Sequence, residues 1–350
     1  MKQDGRRNFF CFSATAFILV YTTIALEAKK CDFFIGKWQP DVEYPPYNDS
    51  SCPFLDKEFT CLKNGRPDSF YIFFRWKPLS CDLQRFDGNN FLERNRGKKI
   101  MFVGDSLSKN QWLSLACMIH FSLSNSNYTI TMQRDVTTIT FKDYEVNLMY
   151  NRNVFLVDLV SESFGRVLEL DSINGGKFWK GIDVLIFNTW HWWNRRGRDQ
   201  PWDFIRIENK LVTDMNRLVA FQKALQTWAE WVDMNTANVS VFFQGISPTH
   251  YNSTLWNQTR ATNCAAEKQP VEGSVYPGGE PSAVAVLKSV VRNMTSPVVL
   301  LDVTLLSLLR KDGHPSIYGL AGRTGADCSH WCLPGVPDTW NEILYNYVIS

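Results

Sequence analysis

Two short segments of this chain hold the residue types needed for acyl chemistry. Ser106 follows Gly104 and Asp105 at the end of an apolar run, and Asp327 precedes His330 by three positions. A carboxylate three residues from a histidine can orient its imidazole. An oriented imidazole can take the proton of a serine hydroxyl while the serine oxygen attacks an acyl carbon. The spacing therefore predicts Ser106 as nucleophile, His330 as general base and Asp327 as the group that fixes the imidazole tautomer.

The elements around Ser106 must place it at the start of a helix. Residues 100–103 predict a buried strand and residues 107–120 predict a helix. Gly104 permits a tight turn between them, and we expect Asp105 to support that turn through hydrogen bonds. Because a helix start leaves backbone N–H groups without intrahelical partners, the Ser106 N–H is a candidate donor to the oxyanion formed by the attack.

Apolar strand-like runs alternate with helical patterns from residue 98 onward, which is typical of a mainly parallel sheet with helices on both faces. A second helix is predicted over residues 209–232, and residues 128–171 predict an antiparallel excursion near the site. Ligands of such sheets bind beyond the carboxyl ends of the strands, and Ser106 follows one such end. The predicted strands are 100–103, 154–160, 184–187, 239–243 and 298–303.

Length and composition predict a large core. The chain has 350 residues, of which 45% are hydrophobic, and a net charge of +2, which does not indicate a nucleic-acid partner. Residues 31–87 are rich in cysteine, proline and aromatic residues and have little periodicity. We expect a small disulfide-rich N-terminal subdomain there, followed by an α/β catalytic domain over residues 88–350.

Residues 9–26 form an uncharged apolar run of 18 residues that follows several basic residues. This length is at the short limit for a membrane span, and the basic flank favours a cytosolic N-terminus. The alternative is a cleaved signal peptide. Under either hypothesis residues 1–30 direct the remainder of the chain into the secretory lumen, and six Asn-x-Ser/Thr sequons are compatible with glycosylation there.

Outside the apolar run the chain has eight cysteines. An even number in a lumenal protein favours disulfides over metal ligands, and the absence of a Cys-x-x-Cys pair argues against a zinc site. We therefore expect no bound metal. The number of cysteines alone leaves the pairing open. These cysteines are Cys31, Cys52, Cys61, Cys81, Cys117, Cys264, Cys328 and Cys332.

A cluster of aromatic and basic residues follows residues 184–187. On a loop, its indole rings could stack on sugar rings, and its arginines could pair with the carboxylates of an acidic polysaccharide. The alternative is a solvated loop with one or two buried tryptophans. His191 and His250 are predicted to line the same cleft, whereas His120 is predicted to be structural and His314 a turn residue. The cluster consists of Trp190, Trp192, Trp193, Arg195, Arg196 and Arg198.

These segments resemble the plant trichome birefringence-like proteins, which are cell-wall polysaccharide O-acetyltransferases with a lipase-like (SGNH-type) catalytic domain. The resemblance rests on Gly104-Asp105-Ser106 and on DCSHWCLPGVPDTWNE at residues 327–342. It extends to five further segments in the same order, so it covers nearly all of the chain after the leader. Those segments are CDFFIGKW, FRWKP, FNTWHWW, QGISPTHY and RKDGHPSIYG.

The resemblance implies a three-layer α/β/α fold and acetyl transfer onto pectin, xylan or mannan through an acetylated Ser106. It also implies Asn188 as an oxyanion-hole residue; a third donor has no clear counterpart, and Gly165 is a guess. Residence in the Golgi membrane with a lumenal catalytic domain follows from the same resemblance, with secretion to the wall as the alternative. The implied disulfides are Cys31–Cys81, Cys52–Cys117, Cys61–Cys332 and Cys264–Cys328.

Two other functions remain open at this point. An acetylesterase would use the same residues, with water resolving the acyl-enzyme in place of a sugar hydroxyl. A non-catalytic protein that bridges pectin and other wall polymers would use the tryptophan-rich surface alone. The sequence identifies neither the acetyl donor (acetyl-CoA or another) nor the sugar, and it does not indicate an oligomeric state; no cofactor is expected to be bound.

Overall fold

The structure is a computed structural model that describes residues 31–123, 125, 127–258, 262–319 and 325–349. The apolar run at residues 9–26, predicted to be an anchor or a signal peptide, lies outside the described residues. Within the described ranges no helix is both long and apolar enough to cross a membrane. The described residues from Asp32 onward form one compact unit.

The described chain contains thirteen strands and six α-helices. The strands are β1 (Gly36–Pro40), β2 (Phe74–Pro78), β3 (Lys99–Gly104), β4 (Tyr128–Gln133), β5 (Val136–Phe141), β6 (Val146–Arg152), β7 (Asp158–Glu162), β8 (Gly165–Glu169), β9 (Val184–Phe187), β10 (Phe204–Ile207), β11 (Lys210–Val212), β12 (Ser240–Gln244) and β13 (Val298–Leu301). The helices are α1 (Gly88–Arg94), α2 (Ser106–Ser122), α3 (Arg217–Asn235), α4 (Ser282–Arg292), α5 (Thr304–Leu308) and α6 (Val336–Ile349).

The central sheet has seven strands in the order β13-β12-β9-β3-β6-β5-β4. All neighbours from β13 to β6 are parallel, whereas β6, β5 and β4 pair antiparallel. The prediction of a mainly parallel sheet is therefore confirmed, and part of the predicted antiparallel excursion extends this sheet. Strand β3 lies at the centre, so the turn that carries Ser106 emerges from the middle of the sheet.

Helices cover both faces of the sheet. Because side chains alternate along a strand, Ile100 and Phe102 of β3 join a cluster that includes residues of α1, α2 and α6. Met101 and Val103 point to the opposite face and join a cluster that includes residues of α3 and α4. The three-layer α/β/α arrangement implied by the resemblance is confirmed.

Two predicted elements are wrong in part. Residues 154–157, expected to begin a strand, form a turn in which the Asn153 side chain accepts the Leu156 N–H at 2.9 Å and Leu156 has a φ of 63°. Strand β7 starts only at Asp158 and belongs to a second sheet, β11-β10-β8-β7. The Asn153 side chain takes the place of a strand partner for the Leu156 N–H, so the apolar residues of this turn are buried without forming a strand.

The predicted helix over residues 209–232 begins too early. Glu208 and Asn209 have φ of 49° and 62° and form the turn between β10 and β11. Helix α3 starts at Arg217, and Asn216 caps it by accepting the N–H groups of Leu218 and Val219. The side-chain cap, rather than the apolar spacing, sets the helix start.

The N-terminal region packs into the same unit as the sheet. Its strands β1 and β2 form a two-stranded antiparallel ribbon, and Phe59 and Trp76 are buried in the cluster that also holds α2 and α6. Cys52–Cys117 ties this region to α2, and Cys61–Cys332 ties it to the segment before α6. The boundary expected at residue 87 stays a prediction.

Candidate active site

Ser106 stands on the turn between the central strand and its helix. Asp105 caps α2, its Oδ1 accepting the Leu107 N–H at 2.9 Å, and its carbonyl accepts the Tyr150 hydroxyl at 3.1 Å. A side chain at Gly104 would overlap the carbonyl of Asn188 and the Ser108 hydroxyl, so only glycine fits there. Gly104 and Asp105 therefore support the turn as predicted, and they hold the serine at the first position of α2.

The structure brings Ser106, His330 and Asp327 together in a hydrogen-bonded series. His330 Nε2 lies 2.7 Å from Ser106 Oγ, and His330 Nδ1 lies 2.7 Å from Asp327 Oδ2. A carboxylate only accepts, so Nδ1 carries the proton and Nε2 offers its lone pair to the serine hydroxyl. This is the tautomer that a general base requires.

Asp327 and His330 each favour the charged form of the other. Burial opposes protonation of His330, but the hydrogen bond and charge of Asp327 outweigh it and raise the pKa of His330 above its ordinary value. Burial likewise opposes ionisation of Asp327, yet its bonds to His330 and to the Ser329 N–H hold the pKa of Asp327 well below its usual range. A permanent carboxylate is thus available to stabilise the imidazolium that forms when His330 accepts a proton.

The segment carrying His330 is fixed from several sides. Two disulfides, Cys264–Cys328 and Cys61–Cys332, attach it on either side of Ser329, as the resemblance implies. Asn110 of α2 accepts the Trp331 N–H at 2.9 Å and donates to the Trp331 carbonyl at 3.2 Å. Because α2 also begins with Ser106, Asn110 links the segment that carries His330 to the helix of the serine. Nothing in the sequence indicated this role beyond the helical spacing of Asn110 from Ser106.

The fourth disulfide implied by the resemblance involves Cys31 and Cys81. Both residues are disulfide-bonded in the structure. With the bridges Cys52–Cys117, Cys61–Cys332 and Cys264–Cys328, all eight cysteines among the described residues are in disulfides.

A buried histidine pair lies behind His330. His314 donates its Nδ1–H to the His330 carbonyl at 2.6 Å, and its ring stacks on Trp331. The Nδ1 atom of His250 lies 2.6 Å from Nε2 of His314. The prediction that His250 lines the substrate cleft is wrong, because its ring is fully buried and its Nε2–H donates to the Leu308 carbonyl at 2.9 Å. Burial lowers the pKa of His250 to about 4 and that of His314 well below its ordinary value. His314 is a support of the site rather than a simple turn residue.

Asn188 is placed next to the nucleophile turn. It follows β9, its N–H bonds to the Val103 carbonyl at 2.9 Å, and its buried Oδ1 has no hydrogen-bond partner among the described residues. Gly165, the guess for a third oxyanion donor, begins β8 of the second sheet, whereas Ser106 and Asn188 follow strands of the central sheet. The guess is therefore not supported.

One of these clefts, here called the aromatic cleft, has a volume of about 680 Å³. His191 lines it as predicted and donates its Nε2–H to the Ser247 carbonyl at 2.8 Å. Sequence reasoning missed Ser247, Tyr251 and Tyr276, although the first two lie in QGISPTHY. The aromatic cleft is lined by Ser106, Trp190, His191, Trp192, Arg195, Asp199, Ser247, Tyr251, Tyr276, Glu280 and His330, among others.

The predicted aromatic and basic cluster divides between the cleft and the core. Trp192 is half-buried in the cleft wall, with the Arg195 guanidinium 3.8 Å from its ring centre. Trp190 also lines the cleft but is largely buried. The prediction that Trp193 stacks on sugar is wrong, and the alternative of one or two buried tryptophans holds for it: its ring is completely buried and donates to the Thr189 hydroxyl at 2.9 Å.

The two remaining arginines of the cluster lie outside the cleft. Arg196 and Arg198 are exposed and do not line it, so the expected basic rim is reduced to Arg195. Asp199 and Glu280 line the same cleft and offset that charge. The feature that remains is an aromatic surface, not a basic one.

The other cleft, here called the apolar cleft, has a volume of about 580 Å³ and was not predicted. It lies between the N-terminal region, α2 and the β4–β5 hairpin, and such long-range neighbours leave no local pattern in a sequence. It is lined by Pro53, Phe54, Asp56, Glu58, Ser106, Lys109, Trp112, Leu113, Ile130, Met132, Asp135, Thr137, Ile139, Tyr150 and Arg152. Among the described residues, no group of three or more His, Cys, Asp or Glu side chains is placed to bind a metal ion.

Comparison with known proteins agrees with this geometry. Residues 83–347 match the model of the GDSL/SGNH-like acyl-esterase family found in Pmr5 and Cas1p, and residues 29–82 match the PMR5 N-terminal domain. The chain is 59% identical to the Arabidopsis thaliana protein trichome birefringence-like 41, covering 92% of both chains. It is 54% identical to trichome birefringence-like 38 of the same plant, covering 91% of this chain and 84% of that one. The chain therefore belongs to the trichome birefringence-like family.

Proposed function

We propose that this protein is an O-acetyltransferase that moves acetyl groups onto a plant cell-wall polysaccharide through an acetylated Ser106. The observation that carries the proposal is the hydrogen-bonded series of Ser106, His330 and Asp327, whose first two members line the aromatic cleft. Indole and phenol rings in that cleft offer flat apolar faces to sugar rings. Membership of the family supports the same activity.

In the first half-reaction, Ser106 Oγ attacks the acetyl carbonyl carbon and its proton passes to His330 Nε2. The bond from that carbon to the leaving oxygen or sulfur then breaks, and the imidazolium returns the proton to the leaving group. In the second half, a sugar hydroxyl gives its proton to Nε2 and its oxygen attacks the carbonyl carbon of acetyl-Ser106. The bond from that carbon to Ser106 Oγ then breaks, and Nε2 returns the proton to Oγ, which restores the free serine. Asp327 stays ionised throughout and holds the Nδ1–H.

Each attack creates a negative oxygen that needs preorganised donors. We propose the Ser106 N–H at the start of α2 and the side chain of Asn188 for this role. The Asn188 backbone lies against Gly104 at the turn that carries Ser106, and the side-chain N–H groups of an asparagine are donors of the kind that an oxyanion needs. Replacing Asn188 with Ala is expected to reduce kcat by about 10²–10³-fold, as loss of one oxyanion donor does.

The test uses the whole lumenal chain and Ser106→Ala, with Ser122→Ala at the other end of α2 as the matched control. Each protein is incubated with an acetyl donor and with xylan, mannan or polygalacturonate oligosaccharides, and acetylated sugar and free acetate are measured. Wild type and Ser122→Ala should transfer acetyl groups, and Ser106→Ala should not. Wild-type protein that turns over no donor would instead support the non-catalytic polysaccharide binder.

A second candidate is an acetylesterase. The aromatic cleft is open to solvent and Ser106 is only half-buried, so water can reach the acyl-enzyme. The acyl-esterase description of the matching family model favours the same reaction. Release of acetate from acetylated pectin without any transfer to added sugar would establish the esterase over the transferase.

We further propose that the protein works in the lumen of the secretory pathway, either anchored in the Golgi membrane through residues 9–26 or secreted to the wall. Disulfides persist in such oxidising compartments, and three tie together distant parts of this chain. Protection from added protease in sealed microsomes, lost when detergent is added, would support a lumenal location. Digestion without detergent would contradict it.

A further inference from the structure

Ser106 lines two separate clefts, and the function proposed above occupies only one of them. The aromatic cleft presents tryptophan and tyrosine rings, and the apolar cleft approaches the same hydroxyl between α2 and the β4–β5 hairpin. A transferase that works through an acyl-enzyme must admit two molecules to its nucleophile, a donor and an acceptor. Two clefts that meet at one serine provide a place for each.

The walls of the apolar cleft suit an uncharged ligand. On the edge strand β4, Ile130 and Met132 are 52% and 76% exposed, and Ile130 pairs with Ile139 across the hairpin. They line the same groove as Phe54 and Trp112. Exposed apolar side chains grouped along a groove that ends at a reactive serine indicate a ligand surface rather than scattered surface residues.

The charges in the apolar cleft do not favour an anionic ligand. The ammonium of Lys109 is paired with Asp56 and lies 3.8 Å from Glu58, so it is already neutralised. The two other charged residues of the apolar cleft are Asp135 and Arg152, and the guanidinium of Arg152 lies over the ring of Trp192. Phosphate groups bind where arginine and lysine are in excess, and here three carboxylates face two cations.

We propose that the apolar cleft binds the acetyl donor, and that this donor is a neutral acetyl ester or thioester with an apolar leaving group. The proposal rests on the transferase function proposed above. The carbonyl carbon bonds to Ser106 Oγ, the bond to the leaving oxygen or sulfur breaks, and His330 delivers the serine proton to that atom. The leaving alcohol or thiol departs through the apolar cleft, and the acceptor sugar enters from the aromatic cleft.

Double-displacement kinetics separate the two clefts. The value of kcat/KM for the donor reports only acylation, and that for the acceptor reports only the transfer to sugar. Ile130→Ser/Met132→Ser removes apolar surface from the donor side. Met234→Ser is its matched control, because Met234 is also 76% exposed and lines neither cleft. Tyr251→Ala is the corresponding change in the aromatic cleft.

With p-nitrophenyl acetate as donor and a xylan oligosaccharide as acceptor, Ile130→Ser/Met132→Ser should lower kcat/KM for the donor about five- to tenfold, since apolar contact area is lost. Its acceptor kcat/KM should remain within about twofold. Tyr251→Ala should do the reverse, and Met234→Ser should change neither. A double variant that lowers only the acceptor value would overturn the proposal, because the apolar cleft would then bind polysaccharide.

The neutral character of the donor has its own test. Acetyl-CoA and S-acetyl-N-acetylcysteamine carry the same thioester, but only the first carries phosphates. We expect the neutral thioester to acylate Ser106 with a kcat/KM equal to or above that of acetyl-CoA. A value for acetyl-CoA that is tenfold higher would overturn the neutral donor.

Failure of the proposed function is distinguishable from failure of this inference. Release of p-nitrophenol in a pre-steady-state burst needs no acceptor, so it measures acylation even if no sugar is ever acetylated. A normal burst that the double variant does not slow would overturn the donor site alone. A burst without transfer to any carbohydrate would overturn the transferase while leaving the first test valid.

Discussion

Residues 327–332 and residues 190–198 were both predicted to form the site, and the structure treats them differently. In the first segment Asp327 and His330 meet Ser106 with the geometry expected from their spacing. In the second, Trp192 and Arg195 line the cleft, while Trp193 is in the core and Arg198 is outside the cleft. A carboxylate, an imidazole and a hydroxyl can form a hydrogen-bonded series in few geometries, so their spacing is informative. An indole ring packs equally well in a hydrophobic core or against a sugar ring, so its presence alone does not predict its position.

The largest expected effect sharpens the first half of this comparison. Asp327→Asn preserves the shape of the side chain but presents an amide N–H to His330 Nδ1, so the imidazole adopts the wrong tautomer. We expect kcat to fall by about 10⁴-fold, as in serine proteases with the equivalent change. Acetyl release is measured alongside Asp199→Asn, a cleft carboxylate outside the series. A loss below tenfold would show that Asp327 does not orient the base.

The next effect concerns stability and separates two neighbouring tryptophans. Trp193→Ala should destabilise the fold by about 3–5 kcal/mol, because a completely buried ring leaves a cavity. Trp192→Ala, at the half-buried neighbour, should cost much less. Denaturant unfolding of both variants measures the difference. Equal losses would mean that the two side chains are not divided between core and cleft.

A pH profile tests the charge environment of the base. His330 must be neutral to accept a proton, and its pKa is raised, so acylation should fall as pH drops through a value above its ordinary one. The charge of Glu58 contributes to that raised pKa. Glu58→Gln should therefore move the acid limb to lower pH. An unmoved or raised limb would exclude this electrostatic contact.

A smaller effect is expected from the ring that remains in the cleft. Trp192→Ala should lower kcat/KM for the acceptor sugar by about tenfold, which corresponds to about 1.4 kcal/mol of lost contact with the sugar. The donor value should not change, and Trp256→Phe, at a buried ring outside the cleft lining, controls for a general effect on the fold. A loss shared equally by donor and acceptor would indicate a distorted site rather than a lost sugar contact.

The smallest effect distinguishes the arginines. Arg195→Ala should weaken binding of polygalacturonate oligosaccharides, whereas Arg196→Ala and Arg198→Ala should change it by less than about twofold, as exposed charges outside a site do. Binding to neutral xylan measured in parallel serves as the reference. An effect of Arg196 or Arg198 as large as that of Arg195 would extend the binding surface beyond the cleft.

Local chemistry was predictable, and long-range packing was not. Residues 184–187 and 100–103 read correctly as buried strands because uninterrupted apolar residues bounded by turn residues have few other uses. Residues 154–157 carry a similar pattern but follow Asn153, whose side chain closes a turn. The position of Asn110 against Trp331 and the whole apolar cleft depend on residues far apart in the chain, and one sequence contains no record of such contacts.

The Cys61–Cys332 disulfide joins residues 29–82 to residues 83–347, the two segments that match separate family models. Cys332 is two residues from His330. Arg66 adds hydrogen bonds from the first segment to the carbonyls of Asp312 and His314. The region before residue 83 therefore helps to hold the segment that carries His330. A recombinant fragment that begins at residue 83 would lack the Cys61–Cys332 disulfide and the Arg66 hydrogen bonds. An exchange of one segment between relatives would have to preserve both. Selection is expected to keep both segments together as one inherited unit.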